Sequence, residues 1–269
     1  MATVVITGSS KGIGFGLGKA FLESGHQVVF CGSSEDSTEN ARAKLSEQSP
    51  QLLDQARFFT CNTTSEDQVQ ALWELASSAF SRVDIWVNNA GLARTGWSIL
   101  DIPANEIQRM LDINLRGTIN GCRTAARGMQ DQGSGKIFNM LGGGSDGEYF
   151  PGMGIYGTTK RGLDYFTNAL AKELQASGII VGKIRPGMVV TEAIVREARE
   201  NPETFARSRK FMNNLVDQVD TVAPFLVQRI LDTQKSGQKI AWLNGGKIAG
   251  RMLAGLFRKR PDQFLQHGL

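Results

Sequence analysis

A short apolar run, Thr3-Val4-Val5-Ile6, leads directly into Thr7-Gly8-Ser9-Ser10-Lys11-Gly12-Ile13-Gly14. This junction constrains the fold more than any other stretch. The run reads as a buried strand. Beyond it, Ile13, Leu17, Ala20 and Phe21 share one face of a helix, and Gly25 ends that helix. A strand, a glycine-rich turn and a helix N-terminus make an anion site. The glycines let the backbone approach a pyrophosphate, and unpaired N–H groups and the helix dipole face it. The spacing is G-x-x-x-G-x-G rather than the commoner G-x-G-x-x-G. Taken alone, the turn could equally be a structural β–α connection.

The alternation begun here continues. Strands are predicted at 27–31, 57–60, 83–87, 136–141, 179–184 and 239–243. Helices are predicted at 38–48, 66–80 (capped by Ser65), 104–129 and 221–232, with another carrying Tyr156 and Lys160 as far as Ser177. Strands alternating with helices imply an α/β fold, a doubly wound and mainly parallel sheet with helices on both faces. The 269 residues suit one such domain, placed at 1–246. Residues 192–218 are polar, helical in pattern and carry basic residues at 207, 209 and 210, which marks a candidate substrate lid. The extension 247–269 puts Ile248, Met252, Leu253, Leu256 and Phe257 on one helical face, with Lys247, Arg251, Arg258, Lys259 and Arg260 supplying charge. It is expected to pack on its own domain or on a partner subunit. The alternative is peripheral contact with a membrane surface or a large apolar ligand.

Composition narrows the chemistry. Cys31, Cys61 and Cys122 are scattered, with no metal-ligand spacing and no disulfide framework, as in a reducing compartment. His26 and His267 lie at opposite ends of the chain, so neither a histidine triad nor a metal site is expected. A net charge of +4 calls for no nucleic-acid partner. No targeting segment or membrane-spanning run is read, and a cytoplasmic location is expected.

Against that background Tyr156 and Lys160 stand out. Four residues apart, they share one helix face. A nearby ammonium stabilises phenolate and should pull the phenol down from its ordinary pKa of about 10. The pair would protonate a carbonyl oxygen or deprotonate an alcohol. The same spacing also fits a solvated helix. The second strand ends in Gly32-Ser33-Ser34, without the acid that holds an NAD ribose. Lys11, Ser33 and Ser34 could hold a 2′-phosphate instead, which favours NADP. Asn88-Asn89-Ala90-Gly91 follows the fourth strand where such sheets bind ligands. Asn114 is a poor mid-helix residue, pointing to a bound water, a kink or a solvent-facing side chain.

Together these motifs resemble the short-chain dehydrogenase/reductase family over about residues 1–246. The motifs are Thr7-Gly8 with Gly12 and Gly14, Asn88-Asn89-Ala90-Gly91, Asn114, Tyr156 with Lys160, and Pro186-Gly187 with Thr191, all in family order. The resemblance implies a Rossmann-type seven-stranded sheet, a nicotinamide cofactor and a homodimer or homotetramer. Tyr156 would be the proton donor. Lys160 would tune it and hold the nicotinamide ribose, and Asn114 would position a relay water. Gly8, Ser10, Lys11, Gly12, Ile13 and Gly14 would seat the pyrophosphate side. Asn89, Ala90 and Gly91 would line the adenosine ribose, and Pro186, Gly187, Val189 and Thr191 would fix the carboxamide.

Two positions depart from the family. Its adenine-contacting acid is Asn62, followed by Thr63. Its serine after the fifth strand falls at Gly142 or Gly143, leaving Ser145 as the nearest hydroxyl. Ile137-Phe138-Asn139, Gly144-Ser145-Asp146-Gly147, Tyr156-Gly157-Thr158-Thr159-Lys160-Arg161 and Pro186-Gly187-Met188-Val189-Val190-Thr191 are similar to the chlorophyll b reductase branch. That branch implies NADPH-dependent reduction of the 7-formyl group of chlorophyll(ide) b to 7-hydroxymethyl. A plant-type member would work in the plastid stroma or at the thylakoid surface. Other bulky hydrophobic carbonyls, such as steroids, are the alternative, followed by an NADP-sensing protein without turnover.

Overall fold

The structure, a computed structural model, describes residues 1–257 and 260–269. Arg258 and Lys259 of the predicted basic set lie outside the described residues, as do the side chains of Leu256 and Phe257. The first half runs β1 (Thr3–Ile6), α1 (Gly12–Glu23), β2 (Gln27–Gly32), α2 (Glu35–Gln48), β3 (Ala56–Thr60), α3 (Glu66–Phe80) and β4 (Ile85–Asn88). It continues through α4 (Ala104–Met110), a π-helical turn (Leu111–Arg116), α5 (Gly117–Gln132), β5 (Gly135–Met140) and α6 (Gly154–Glu173). The last third is β6 (Ile179–Arg185), β7 (Met188–Val190), α7 (Glu192–Glu200), α8 (Pro202–Leu215), β8 (Val216–Gln218), α9 (Val219–Asp232), β9 (Lys239–Ala241) and α10 (Gly245–Phe257).

The main sheet has seven strands in the order β3-β2-β1-β4-β5-β6-β9, every pair parallel. Side chains alternate between its faces. Val4, Ile6, Phe30, Val87, Phe138 and Ile184 pack under α1 and α9. Val5, Val29, Trp86, Ile137 and Val181 pack under the opposite helices, α3 and α5 among them. Strand order reverses between β1 and β4, so a crevice opens at their carboxyl ends. The glycine-rich turn and Asn89–Gly91 both emerge there.

Three predicted elements differ. The helix over 104–129 is interrupted by the π turn around Asn114, whose side chain bonds outside its own helix. The helix predicted to reach Ser177 ends at Glu173, and a turn carries the chain to Gly178, where φ is +75°. The 192–218 segment is not helical throughout. Its last three residues form β8, which pairs in parallel with β7 as a separate small sheet. Two three-residue strands are too short for a periodic signal.

The C-terminal extension lies on this small sheet and on α8. Phe264 is fully buried in a cluster with Val190 and Val216 and meets Phe205 edge-on at 5.0 Å. Gln218 Nε2 donates to the Gln263 carbonyl at 2.7 Å. Ile248, Met252 and Leu253 of α10 stay partly or largely exposed. No helix among the described residues is long and apolar enough to cross a membrane.

Candidate active site

The glycine turn is built by close approach. Gly8 has φ +62°, and a β-carbon on it would lie 2.6 Å from Ala90 Cα. A β-carbon on Gly14 would lie 2.4 Å from Asn89 Nδ2. The Asn89 amide donates to the carbonyls of Thr7 and Gly8 at 2.9 and 2.8 Å. Thr7 Oγ1 accepts from the backbone N–H groups of Asn89 and Ala90, both at 3.1 Å. Asn89 therefore clamps the turn through its amide nitrogen. Ser9 ties the ends of β1 and β2 together, donating to the Ile6 carbonyl and accepting from Cys31 N–H.

The predicted 2′-phosphate group is spread around this turn. Lys11 is exposed at the start of α1, Ser10 and Ile13 are half-buried, and Ser33 is exposed beyond β2. Ser34 caps α2, its Oγ accepting from Ser37 N–H at 3.3 Å. Asn62 Oδ1 accepts from the backbone N–H and hydroxyl of Thr64, at 3.1 and 2.9 Å, so it closes a local turn. Thr63 is buried, and its carbonyl accepts from Asn120.

The catalytic candidates meet at the other end of the crevice. Lys160 is buried, and its Nζ donates to the Met140 carbonyl at 3.0 Å. That nitrogen lies 5.7 Å from the centroid of the Tyr156 ring. A β-carbon on Gly91 would stand 3.6 Å from Lys160 Nζ and 3.4 Å from Asn114 Oδ1. The π turn points fully buried Asn114 inward. Asn114 Nδ2 donates to the Leu92 carbonyl (2.9 Å) and to Thr159 Oγ1 (3.0 Å), while its Oδ1 accepts from Leu92 N–H (2.7 Å). The π turn is a local departure from the α-helix at Asn114, and the buried side chain is not solvent-facing.

The electrostatics correct one expectation. The Tyr156 phenol is not pulled down by Lys160. Burial pushes it up to about 12, and the Glu197 carboxylate adds to the rise. Burial also draws the Lys160 ammonium down to about 8. Lys160 Nζ is 5.7 Å from the ring centroid, and burial is the larger influence on the phenol. A phenol held protonated suits donation to a carbonyl oxygen.

The loop after β5 carries the family departure. A β-carbon on Gly142 would lie 2.2 Å from Tyr156 Oη. Gly144 has φ +87°, and a β-carbon there would lie 2.6 Å from Gly157 Cα. Ser145 is fully buried, its carbonyl accepts from Arg161 Nη1 at 3.0 Å, and its hydroxyl has no hydrogen-bond partner among the described residues. On the far wall, Gly187 has φ +76° and packs on Leu243, Val189 is buried, and the chain passes from Pro186 to Thr191 at the start of α7. Thr191 Cγ2 lies 3.5 Å from where a Gly12 β-carbon would be, so α7 leans over the glycine turn.

Sequence alone missed Glu197. It sits on α7, accepts from Thr95 Oγ1 at 3.2 Å and acts on Tyr156 across the crevice. Its only sequence signal is an acid within a stripe containing Ile194, Val195 and Ala198.

The residues present fit a dinucleotide. An ammonium has three donors, and Lys160 Nζ directs one at Met140, leaving capacity for ribose hydroxyls. Thr191 makes no capping bond with its side chain. The family model for short chain dehydrogenases matches residues 2–202. The chain belongs to the short chain dehydrogenase family. Among relatives, this dehydrogenase is 33% identical to the chloroplastic chlorophyll(ide) b reductase NOL of Oryza sativa subsp. japonica, over 97% of this chain and 77% of that one. Among solved structures, a short-chain type dehydrogenase/reductase from Mycobacterium marinum superposes with a TM-score of 0.78 at 25% identity, covering 91% of this chain and 95% of that one. An actinorhodin polyketide ketoreductase variant with NADPH shares the fold, with a TM-score of 0.80 at 22% identity over 91% and 96% of the two chains. The dehydrogenase is thus an oxidoreductase of α/β fold whose crevice suits a nicotinamide cofactor.

Proposed function

We propose that the protein is an NADPH-dependent reductase of a bulky hydrophobic carbonyl, and that the 7-formyl group of chlorophyll(ide) b is its substrate. The observation that carries this reading is the floor of glycines beside the Tyr156 hydroxyl. At Gly142 only an α-carbon fits next to the phenol oxygen, and Gly144 abuts α6 with no side chain. A flat, large ring system can therefore bring a peripheral carbonyl up to Tyr156. Exposed Trp97, Ile99, Leu100, Tyr149 and Phe150 supply apolar surface on the loops beside it. The loop before α6 packs on the 96–99 loop, with Gly96 N–H donating to the Gly152 carbonyl at 3.0 Å. The rice relative's name and its coverage of nearly the whole chain support the choice of substrate.

The residues divide the work. The glycine turn and Lys11 hold the phosphates, and Lys160 and Thr191 hold the nicotinamide half. When bound, the cofactor supplies the hydride to the carbonyl carbon. Tyr156 donates its phenolic proton to the carbonyl oxygen as the C=O double bond becomes C–O, and the phenolate recovers a proton from solvent by way of Lys160. Ser145, buried with an unpartnered hydroxyl, is the second donor to the substrate oxygen.

The test is NADPH consumption with chlorophyllide b, with the product identified by chromatography. NADH and a steroid panel run in parallel. A 7-hydroxymethyl product formed with NADPH, and lost at least about a hundredfold in Tyr156→Phe, is the expected result. Turnover of steroids alone would move the substrate assignment to other bulky carbonyls.

A further inference from the structure

Asp217 is 3% exposed, yet it is ionised and surrounded by donors from one region of the chain. Its carboxylate accepts from Trp242 Nε1 at 2.6 Å, from Arg251 Nη1 and Nη2 at 2.8 and 3.0 Å, and from Arg260 Nη2. Burial alone would raise its pKa, but Arg251, Trp242 and Arg260 together hold it below the usual carboxylate range. The same arginines reach the end of α8. Arg260 Nη1 donates to the carbonyls of Asn213 and Val216 at 3.0 and 2.6 Å, and Arg251 Nη1 to that of Leu215 at 3.2 Å.

The position of Asp217 gives this cluster its meaning. In the small sheet it is the register partner of Val189, with Val190 opposite Gln218. Strand β7 is therefore held on one side by β8, and it leads directly into Thr191, which faces Gly12 across the crevice. A ladder of two three-residue strands has little stability of its own. What fixes β8 is the extension: the two arginines on Asp217, and Phe264 seated against Val190 and Val216. Asp217, Arg251, Arg260 and Phe264 all lie beyond residue 202, where the family match ends, whereas β7 lies within it.

We infer that Asp217 is a positioning residue for the nicotinamide half of the cofactor site, and that Arg251, Arg260 and Phe264 make the C-terminal extension the brace that holds it. The inference rests on the cofactor reading proposed above. It assigns the extension a role in aligning Val189 and Thr191, and it leaves the adenine half to the glycine turn, Lys11 and β2: the extension's hydrogen bonds among the described residues run to α7, α8 and β8 instead.

That division sets the test. Binding is measured by fluorescence titration of the full-length protein with NADPH and, separately, with 2′,5′-ADP, which lacks the nicotinamide half. If the wild type prefers the unphosphorylated cofactor, NADH and ADP take their places. Asp217→Asn is expected to raise the Kd for NADPH about tenfold or more while the Kd for 2′,5′-ADP stays within about twofold. Phe264→Leu and Arg251→Lys, milder changes on the other side of the contact, should show the same split in smaller measure. They carry the test if Asp217→Asn does not fold. Equal loss for both ligands, or no loss for either, would overturn the inference. A wild type that binds neither nicotinamide cofactor would instead defeat the cofactor reading itself.

Discussion

Gly142 lies directly against the hydroxyl of Tyr156, so close that a β-carbon on it would stand 2.2 Å from Oη. The same loop lies against α6 at a second point, where a β-carbon on Gly144 would stand 2.6 Å from Gly157 Cα. Adding a serine at 142 therefore displaces the phenol instead of supplying a second donor. Gly142→Ser is expected to lower kcat about a hundredfold, the scale of a 1 Å misplacement. The Kd for NADPH should change little, and steady-state kinetics beside cofactor titration check both halves.

Ser145 is the hydroxyl left to assist. Its Oγ is buried and unpartnered, which is unfavourable in the protein alone. Ser145→Ala should leave thermal stability unchanged or raise it by up to about 1 kcal/mol. It should also lower kcat/KM for the carbonyl substrate about tenfold. A loss of stability, or unaltered kcat/KM, would return Ser145 to a plain loop residue.

Lys160 is held charged in a buried place. Its folded pKa is about 8, against an ordinary value of 10.5. Between those values the unfolded chain holds more protons, so stability rises with pH across that window. Below about pH 8 the full penalty applies, worth about 3 kcal/mol. Lys160→Met removes the penalty but leaves the Met140 carbonyl without its donor, a loss of about 1 kcal/mol. The cofactor-free variant should then be about 2 kcal/mol more stable at pH 7 by denaturant unfolding, with turnover abolished.

The parts of this site that were legible in sequence are those made by neighbours along the chain. The strand, glycine turn and helix at 3–23 depend on local spacing, and Ser65 before Glu66–Phe80 is a local cap. Asn114 was legible as a misfit because helix propensity is local, and the π turn answers it. The clamp that Asn89 makes on the glycine turn was not legible, because its partners Thr7 and Gly8 lie far back in the chain. The direction of the Tyr156 shift was misread because four-residue spacing shows a neighbour and hides burial. Strand β8 and Asp217 escaped notice for a related reason: their order comes from Arg251, Arg260 and Phe264, which pack on them only once the chain has folded.

Glu197 makes a prediction on pH. Its carboxylate adds to the rise of the Tyr156 phenol, after burial. Its own pKa is raised, first by burial and then by Glu200, against the opposing pull of Thr95, Arg196 and Arg94. Glu197→Gln removes that charge and lets Tyr156 ionise at lower pH. Alcohol oxidation needs the phenolate, so its rise with pH should move to lower pH. The reduction rate at neutral pH should change little, since the phenol stays protonated there. Profiles of log(kcat/KM) against pH in both directions decide it.

The proposed preference for NADPH can be tested at Lys11. It is exposed at the mouth of the glycine turn and makes no ion pair among the described residues, so its charge is available to a ligand. Around it, Ser34 is engaged in capping α2, whose first turn carries Glu35 and Asp36. Those acids oppose a 2′-phosphate, and a cation such as exposed Lys11 would be needed to offset them. A charge-assisted bond to phosphate is worth about 1.5–3 kcal/mol, so Lys11→Ala should raise KM for NADPH about tenfold to a hundredfold. NADH lacks the phosphate, and its KM should stay within about twofold. Parallel titration of the two cofactors measures the ratio. If both KM values rise together, Lys11 steadies the pyrophosphate instead, and selection falls to Ser33 and the backbone at the start of α2.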